Sequence, residues 1–361
     1  MKQPLLRCLL AGSVLAAATG CQPTSEGDPQ DRLPIRGKPS DPPVELKAQW
    51  RPDYRYLLFV ETTQTSTSAS RRGPTTMESS LEQDYAITVA EGQRGGRNLE
   101  VQFKSLAVTM LFGEHTVVFY DSQNSVTSPQ GQGVEALEDL LDARITVQLK
   151  RDGTVVGVDG VRELMSKVGG GDGVRARGLG MMQRFFSPTH FRQFVEFSGL
   201  PAKPVAVGET WFARSDMFGS TVGILVMSTT NTFVGWQERQ KRPCARIAIT
   251  GQVALPGRPG RQSAGDVEVT DGLVKGTMWL DPKLEFPVEL ALEQTYTVVS
   301  SRSARGQRGA GTNAPASTAV EKTSSPARQT LLFKLTEAAA GAATLTPTPA
   351  PATTPSAKSL P

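Results

Sequence analysis

Apolar and polar positions alternate along much of this chain. Tyr54, Tyr56, Leu58 and Val60 alternate with Arg55, Leu57 and Phe59, and Leu81, Gln83, Tyr85, Ile87 and Val89 alternate with Glu82, Asp84, Ala86 and Thr88. A period of two with one apolar face predicts half-buried antiparallel strands. Gly92-Gln93-Arg94-Gly95-Gly96 is rich in turn formers, and Leu99, Val101 and Phe103 follow it as the return strand of a long hairpin. Strands are predicted next over 106–112, 115–120 and 144–150, with Val134, Leu137 and Leu141 forming a short helical interruption. Arg151-Asp152-Gly153-Thr154 turns the chain into a strand over Val155–Val158.

At Val161 the period changes to 3.6. Val161, Leu164, Met165 and Val168 share one helical face, with Asp159 as N-cap and Gly169-Gly170-Gly171 as the stop. A second helix is predicted from Val174, Gly178, Met181 and Phe185, widened by Leu179, Met182 and Phe186; a third starts at Ser187-Pro188 and carries Phe191, Phe194 and Val195. Helices this short are unstable alone, so their apolar faces must cover the sheet or one another. Leu200 to Trp211 then forms a seam: Pro201 and Pro204 hold it extended, Gly208 permits a turn, and Trp211 opens a strand. Beyond it the period-two runs resume, ending with Leu331, Phe333 and Leu335. This order predicts an α+β fold with a dominant antiparallel sheet and three or four short helices.

The ends carry no such pattern. Residues 1–20 combine a basic start, Lys2 and Arg7, with an apolar run too short to span a bilayer, which predicts a leader peptide. Residues 21–43 read as an unstructured tether and 338–361, almost all Ala, Thr and Pro, as a disordered tail, leaving 44–337 as a single domain with polar loops near 64–76, 256–266 and 300–328.

Charge alters this picture only locally. The net formal charge of +4 falls to +2 without Lys2 and Arg7, and residues 300–328 hold five basic residues against Glu321 alone. That stretch is either a solvated loop or a contact for anionic headgroups; an exported location argues against nucleic acid as a partner. Reactive groups are sparse. His115 and His190 are the only histidines, no serine lies in a G-x-S-x-G elbow, and the glycines at 169–173 lack the Lys-Ser/Thr of a phosphate loop. Of three cysteines, Cys8 leaves with the leader and Cys244 lies in a strand pattern as a small hydrophobe. The expectation is a non-enzymatic protein with no cofactor and no metal.

Three resemblances add to this. Ala18-Thr19-Gly20-Cys21 resembles the lipobox of bacterial lipoproteins, which implies acylation of Cys21 and anchoring in the cell envelope, with Gln22 implying the outer membrane facing the periplasm. Gly276-Thr277-Met278-Trp279-Leu280-Asp281-Pro282-Lys283-Leu284-Glu285-Phe286-Pro287-Val288 resembles the hairpin of the LolA/LolB-like lipoprotein-localisation superfamily. That implies a large curved sheet, an unclosed half-barrel covered by the helices, with an apolar cavity for acyl chains; a generic hairpin with an Asx turn explains the same residues. The seam resembles a group of exported bacterial lipoproteins carrying a domain of unknown function, which implies no activity. The expected function is that of a lipid-anchored envelope protein that takes up a lipid or other amphiphile between sheet and helices, lined by Met181, Met182, Phe185, Phe186, Phe191, Phe194 and Trp211. The alternative is a scaffold or adaptor with a filled core.

Overall fold

Strands dominate because β-branched and aromatic residues recur at every second position over long stretches. The structure, a computed structural model, describes residues 33–70, 73–124, 126–127, 134–141, 143–169, 188–197, 199–219, 223–256, 266–303 and 320–341. The chain divides into two units, Met1–Leu33 and Pro34–Pro361, and the sheet belongs to the second.

Its strands are β1 (Tyr54–Ser70), β2 (Gly73–Glu91), β3 (Arg97–Phe112), β4 (His115–Asp121), β5 (Val126–Thr127), β6 (Arg144–Leu149), β7 (Val155–Asp159), β8 (Thr210–Gly219), β9 (Gly223–Arg239), β10 (Arg242–Ala254), β11 (Asp266–Asp281), β12 (Phe286–Ser303) and β13 (Val320–Ala340). The helices are α1 (Val134–Leu141), α2 (Val161–Gly169) and α3 (Pro188–Val195).

The α+β expectation is overturned. Strand makes up 68% of the described residues, and the described helices are short pieces in two links, α1 between β5 and β6, and α2 and α3 between β7 and β8. The reason lies in the polar stretches. Thr- and Ser-rich segments read as loops near 64–76 and at both ends of 300–328 are strand: β1 and β2 pair out to Ser70 and Gly73, β12 runs to Ser303, and β13 starts at Val320. Cross-strand hydroxyl pairs, such as Thr63 Oγ1 with Thr330 Oγ1 at 2.5 Å, hold these extensions where apolar burial does not. The second predicted helix lies outside the described residues.

All thirteen strands form one antiparallel sheet in the order β5-β4-β3-β2-β1-β13-β12-β11-β10-β9-β8, with β6 branching from β3 and β7 from β6. The sheet is unclosed but strongly curled. A flat path of eleven strands from β7 to β8 would be roughly 47 Å across at about 4.7 Å per strand. Yet the eight residues of α3, about 12 Å of helix, contact both β7 and β8. Just past α3, the Glu196 side chain accepts from the Val155 amide of β7 at 3.0 Å. The Gly199 carbonyl accepts from Trp211 Nε1 of β8 at 2.7 Å. Four residues thus reach both the end of the β6–β7 branch and the β8 edge, which fixes the sheet as a trough with α3 across its mouth.

Glycine sets part of the curl. A Cβ at Gly276 would lie 2.3 Å from the Ala291 carbonyl oxygen, and one at Gly251 2.2 Å from that of Ser228. Both positions tolerate only hydrogen because neighbouring strands close in there.

Candidate functional site

The register of the ladders aligns the inner face in rows, since residues directly opposite in an antiparallel pair share a face. The first row runs Phe233, Ile247, Met278, Leu290, Phe333, Val60, Gln83, Leu106 from β9 round to β3. The second runs Trp211, Asn231, Ile249, Gly276, Leu292, Leu331, Thr62, Leu81, Val108, Tyr120 from β8 to β4. The third runs Ala213, Thr229, Gly251, Val274, Gln294, Gln329, Gln64, Ser79, Met110. Two apolar clusters, one on each wing of the sheet, meet along this face at Leu290 and Leu331.

The third row sets a run of three amides, Gln294, Gln329 and Gln64, across β12, β13 and β1. Gln64 and Gln294 are buried at 5% and 2% exposure, and Gln83, on the same face two rows away, at 2%. Gln64 Nε2, Gln83 Nε2 and Gln329 Oε1 are buried with no hydrogen-bond partner in the protein. A buried amide group without a partner costs about 1–3 kcal/mol, so polar groups placed this way on an apolar wall call for a purpose.

At the helix-covered end the interior is filled. Trp50 stacks on Phe197 at 5.4 Å and meets Phe286 edge-on at 4.8 Å, while Tyr56 stacks on Phe286 at 4.6 Å. Trp50 Nε1 donates to the Val195 carbonyl at 2.9 Å and so ties the segment before β1 to the end of α3. Burial raises the Tyr56 phenol above its usual range, partly offset by its contact with Arg51, and burial alone raises that of Tyr85.

A second buried polar group gathers around Trp279. Arg239 Nε donates to Glu289 Oε2 at 2.9 Å and its Nη2 to Glu289 Oε1, with both side chains almost fully enclosed. The Arg239 guanidinium lies over the Trp279 ring at 4.4 Å, and Trp279 Nε1 donates to Gln237 Oε1 at 3.0 Å. Nearby, Asp281 accepts from the amides of Lys283 and Leu284 at 2.8 and 3.2 Å and pairs with Arg242 at 3.0 Å, which makes the Asx turn that the sequence indicates. Cys244 is buried here with its thiol pushed up to about 12, first by burial and then by the charge of Asp281. It is a core residue, not a nucleophile.

The other residues singled out from the sequence fall as follows. Phe191 is fully buried, edge-on to Phe103 at 6.4 Å, and Phe194 packs on Tyr85 at 5.0 Å and on Phe333 at 6.2 Å. Trp211 is half-buried at the start of the second row. The structure thus brings Phe191 and Phe194 into the filled end and sets Trp211 apart from them on β8. Met181, Met182, Phe185, Phe186 and Cys21 lie outside the described residues, as does the centre of the basic stretch. His115 is exposed at the start of β4. Among the described residues no three His, Cys, Asp or Glu side chains gather as a metal site, and no helix is long and apolar enough to cross a membrane. The amide row was not singled out from sequence. Its signal was there, since Gln83 and Gln294 occupy inward positions of apolar alternations, but only the register shows that Gln294, Gln329 and Gln64 adjoin.

Comparison with known proteins places residues 95–287, more than half of the chain, in a family of unknown function, DUF6263, and the chain belongs to that family. No curated protein matches it. A solved structure described as showing lipid-protein interactions in lipovitellin is similar at 11% identity and a TM-score of 0.41, over 82% of this chain and 26% of that one, so the chain spans about a quarter of it. A putative outer membrane lipoprotein-sorting protein domain from Vibrio parahaemolyticus is similar at 7% identity and a TM-score of 0.15, over 78% and 84% of the two chains. Neither likeness is close enough to carry an argument.

Proposed function

We propose that this member of the DUF6263 family is a cell-envelope protein, anchored by acyl groups on Cys21, that works by holding the apolar part of a lipid-like amphiphile in its trough and not by catalysing a reaction. The observation that carries this reading is the inner face of the sheet: it is mainly apolar along its first and second rows and bordered by a polar third row, with buried amide groups that lack partners in the protein at Gln64, Gln83 and Gln329. Ligand sites for apolar molecules are built this way, with a few polar groups set in a hydrophobic lining to fix orientation. The filled aromatic end around Trp50 and Phe286 supports a reading in which an acyl chain would lie along the second row, away from those rings.

Native mass spectrometry tests the reading on protein without residues 1–21, which leaves the unit Pro34–Pro361 whole. Protein isolated from cells should carry a lipid mass that is lost on delipidation. Protein that stays at its bare mass with every acyl probe offered would support the scaffold alternative, for which the filled aromatic end is the favouring observation. Anchoring is tested separately: Cys21→Ser should move the protein from the membrane fraction to the soluble one, and unchanged retention would refute it.

A further inference from the structure

We infer that the trough selects amphiphiles whose polar part is uncharged, an ester, amide or hydroxyl such as that of an acylglycerol, and discriminates against ionised headgroups. The inference rests on the binding reading above and sharpens it to a ligand class.

Charge is segregated between the two faces of the same strands. None of the positions in the three inner rows is Asp, Glu, Lys, Arg or His. The positions between those rows, on the opposite face, include Glu61, Glu82, Lys275 and Glu293. These charges are met outside: Glu293 pairs with Lys275 at 3.0 Å and with Arg328 at 2.9 Å, while Arg328 directly follows Ala327 on β13, next to the inward Gln329. A cation for a phosphate or carboxylate headgroup was therefore within one residue of the inner wall, and it faces away from it.

An ionised group brought against this wall would be desolvated with no countercharge to offset the loss of water. An ester carbonyl or a hydroxyl meets what the wall offers. Gln64 Nε2 and Gln83 Nε2 are donors and Gln329 Oε1 is an acceptor, all buried and unpartnered, and Gln64 and Gln329 sit directly opposite each other on β1 and β13. A donor beside an acceptor suits a group that both accepts and donates, as a glycerol ester does. A carboxylate or phosphate diester could use only the donors.

The experiment measures binding to protein without residues 1–21 by native mass spectrometry and by tryptophan quenching with brominated acyl chains. The probes are 1-oleoylglycerol and the lysophosphatidylglycerol of the same chain, each below its micellar concentration. The neutral probe should bind at least tenfold tighter. Gln64→Leu and, independently, Gln329→Leu should each weaken 1-oleoylglycerol roughly tenfold, the loss of about one hydrogen bond, with thermal midpoints confirming that both variants fold. Equal affinity for the two probes, or variants that bind 1-oleoylglycerol as the parent does, would overturn the selectivity while the binding reading stands. Failure of both probes to bind would remove the binding reading and this inference with it.

Discussion

Replacing Glu289 by Gln isolates the one fully enclosed ion pair among the described residues. The substitution keeps the volume and one acceptor oxygen but removes the charge that the Arg239 guanidinium faces from Nε at 2.9 Å and from Nη2. Side-chain exposures of 3% and 5% mean that water cannot replace the lost carboxylate. Breaking such a pair costs about 3–5 kcal/mol, mostly the penalty of a buried charge left behind, against a total stability of about 5–15 kcal/mol for a domain. Urea unfolding followed by tryptophan fluorescence reads this directly. With a slope near 3 kcal/mol per molar, the midpoint should fall by roughly 1–1.7 M at unchanged slope. The double change Arg239→Met with Glu289→Leu should recover most of the loss, because neither charge then needs a partner; the remaining deficit is the cation–π contact with Trp279, about 1–2 kcal/mol. A midpoint shift below about 0.3 M for Glu289→Gln would refute the claim that this pair is enclosed and coupled.

Protein without residues 1–21 has Cys244 as its only cysteine, and its thiol is expected to resist Ellman's reagent at pH 8 until urea is added. Because the fold favours the neutral thiol, its contribution to stability is complete below the unfolded thiol value near 8.5 and declines as pH rises from there towards about 12. Gly276→Ala should destabilise by about 1–3 kcal/mol in the same urea assay, because its Cβ would press on the Ala291 carbonyl oxygen; a neutral result would mean that β11 and β12 separate freely. Glu82→Gln should raise the thermal midpoint slightly at pH 7, since burial first and Glu61 directly opposite second disfavour the charged form of Glu82. The gain should vanish at pH values low enough to protonate the carboxyl, and a lowered midpoint at pH 7 would contradict the reasoning.

Strand positions were legible wherever alternation was apolar, as at Tyr54–Val60 and Leu81–Val89, and so was the turn at Asp281, because its chemistry is local. Strand lengths were not. Gln64 to Thr76 looks like a polar loop, and it is held as a hairpin by ladder bonds and by pairs such as Thr67 with Thr76, which hydropathy does not record. Three regular helical periods suggested a mixed fold, yet eight- and nine-residue helices carry little weight beside strands of up to twenty-one residues. Gln64 and Gln329 lie 265 positions apart in sequence, so their contact depends on β1 meeting β13, which no local pattern reveals. The spacing of Phe191 and Phe194 points to a cavity lining; their neighbours, Phe103, Tyr85 and Phe333, come from three different strands that no local pattern brings together.

The pairing of β1 with β13 has a consequence for the order of assembly. Among the described strands, the first to leave the ribosome waits for the last as its neighbour, and residues 95–287, which carry the family match, hold β3 to β11 and the described helices but none of β1, β2 or β13. Until Val320–Ala340 arrives, the nascent protein is two half-sheets with open edges at β1 and β12, the kind of edge that invites pairing with another chain. Loss of the final forty residues would therefore do more than trim a tail. It would leave the two wings unjoined, and a fragment ending near Val320 should accumulate as aggregates on expression instead of as a smaller soluble protein.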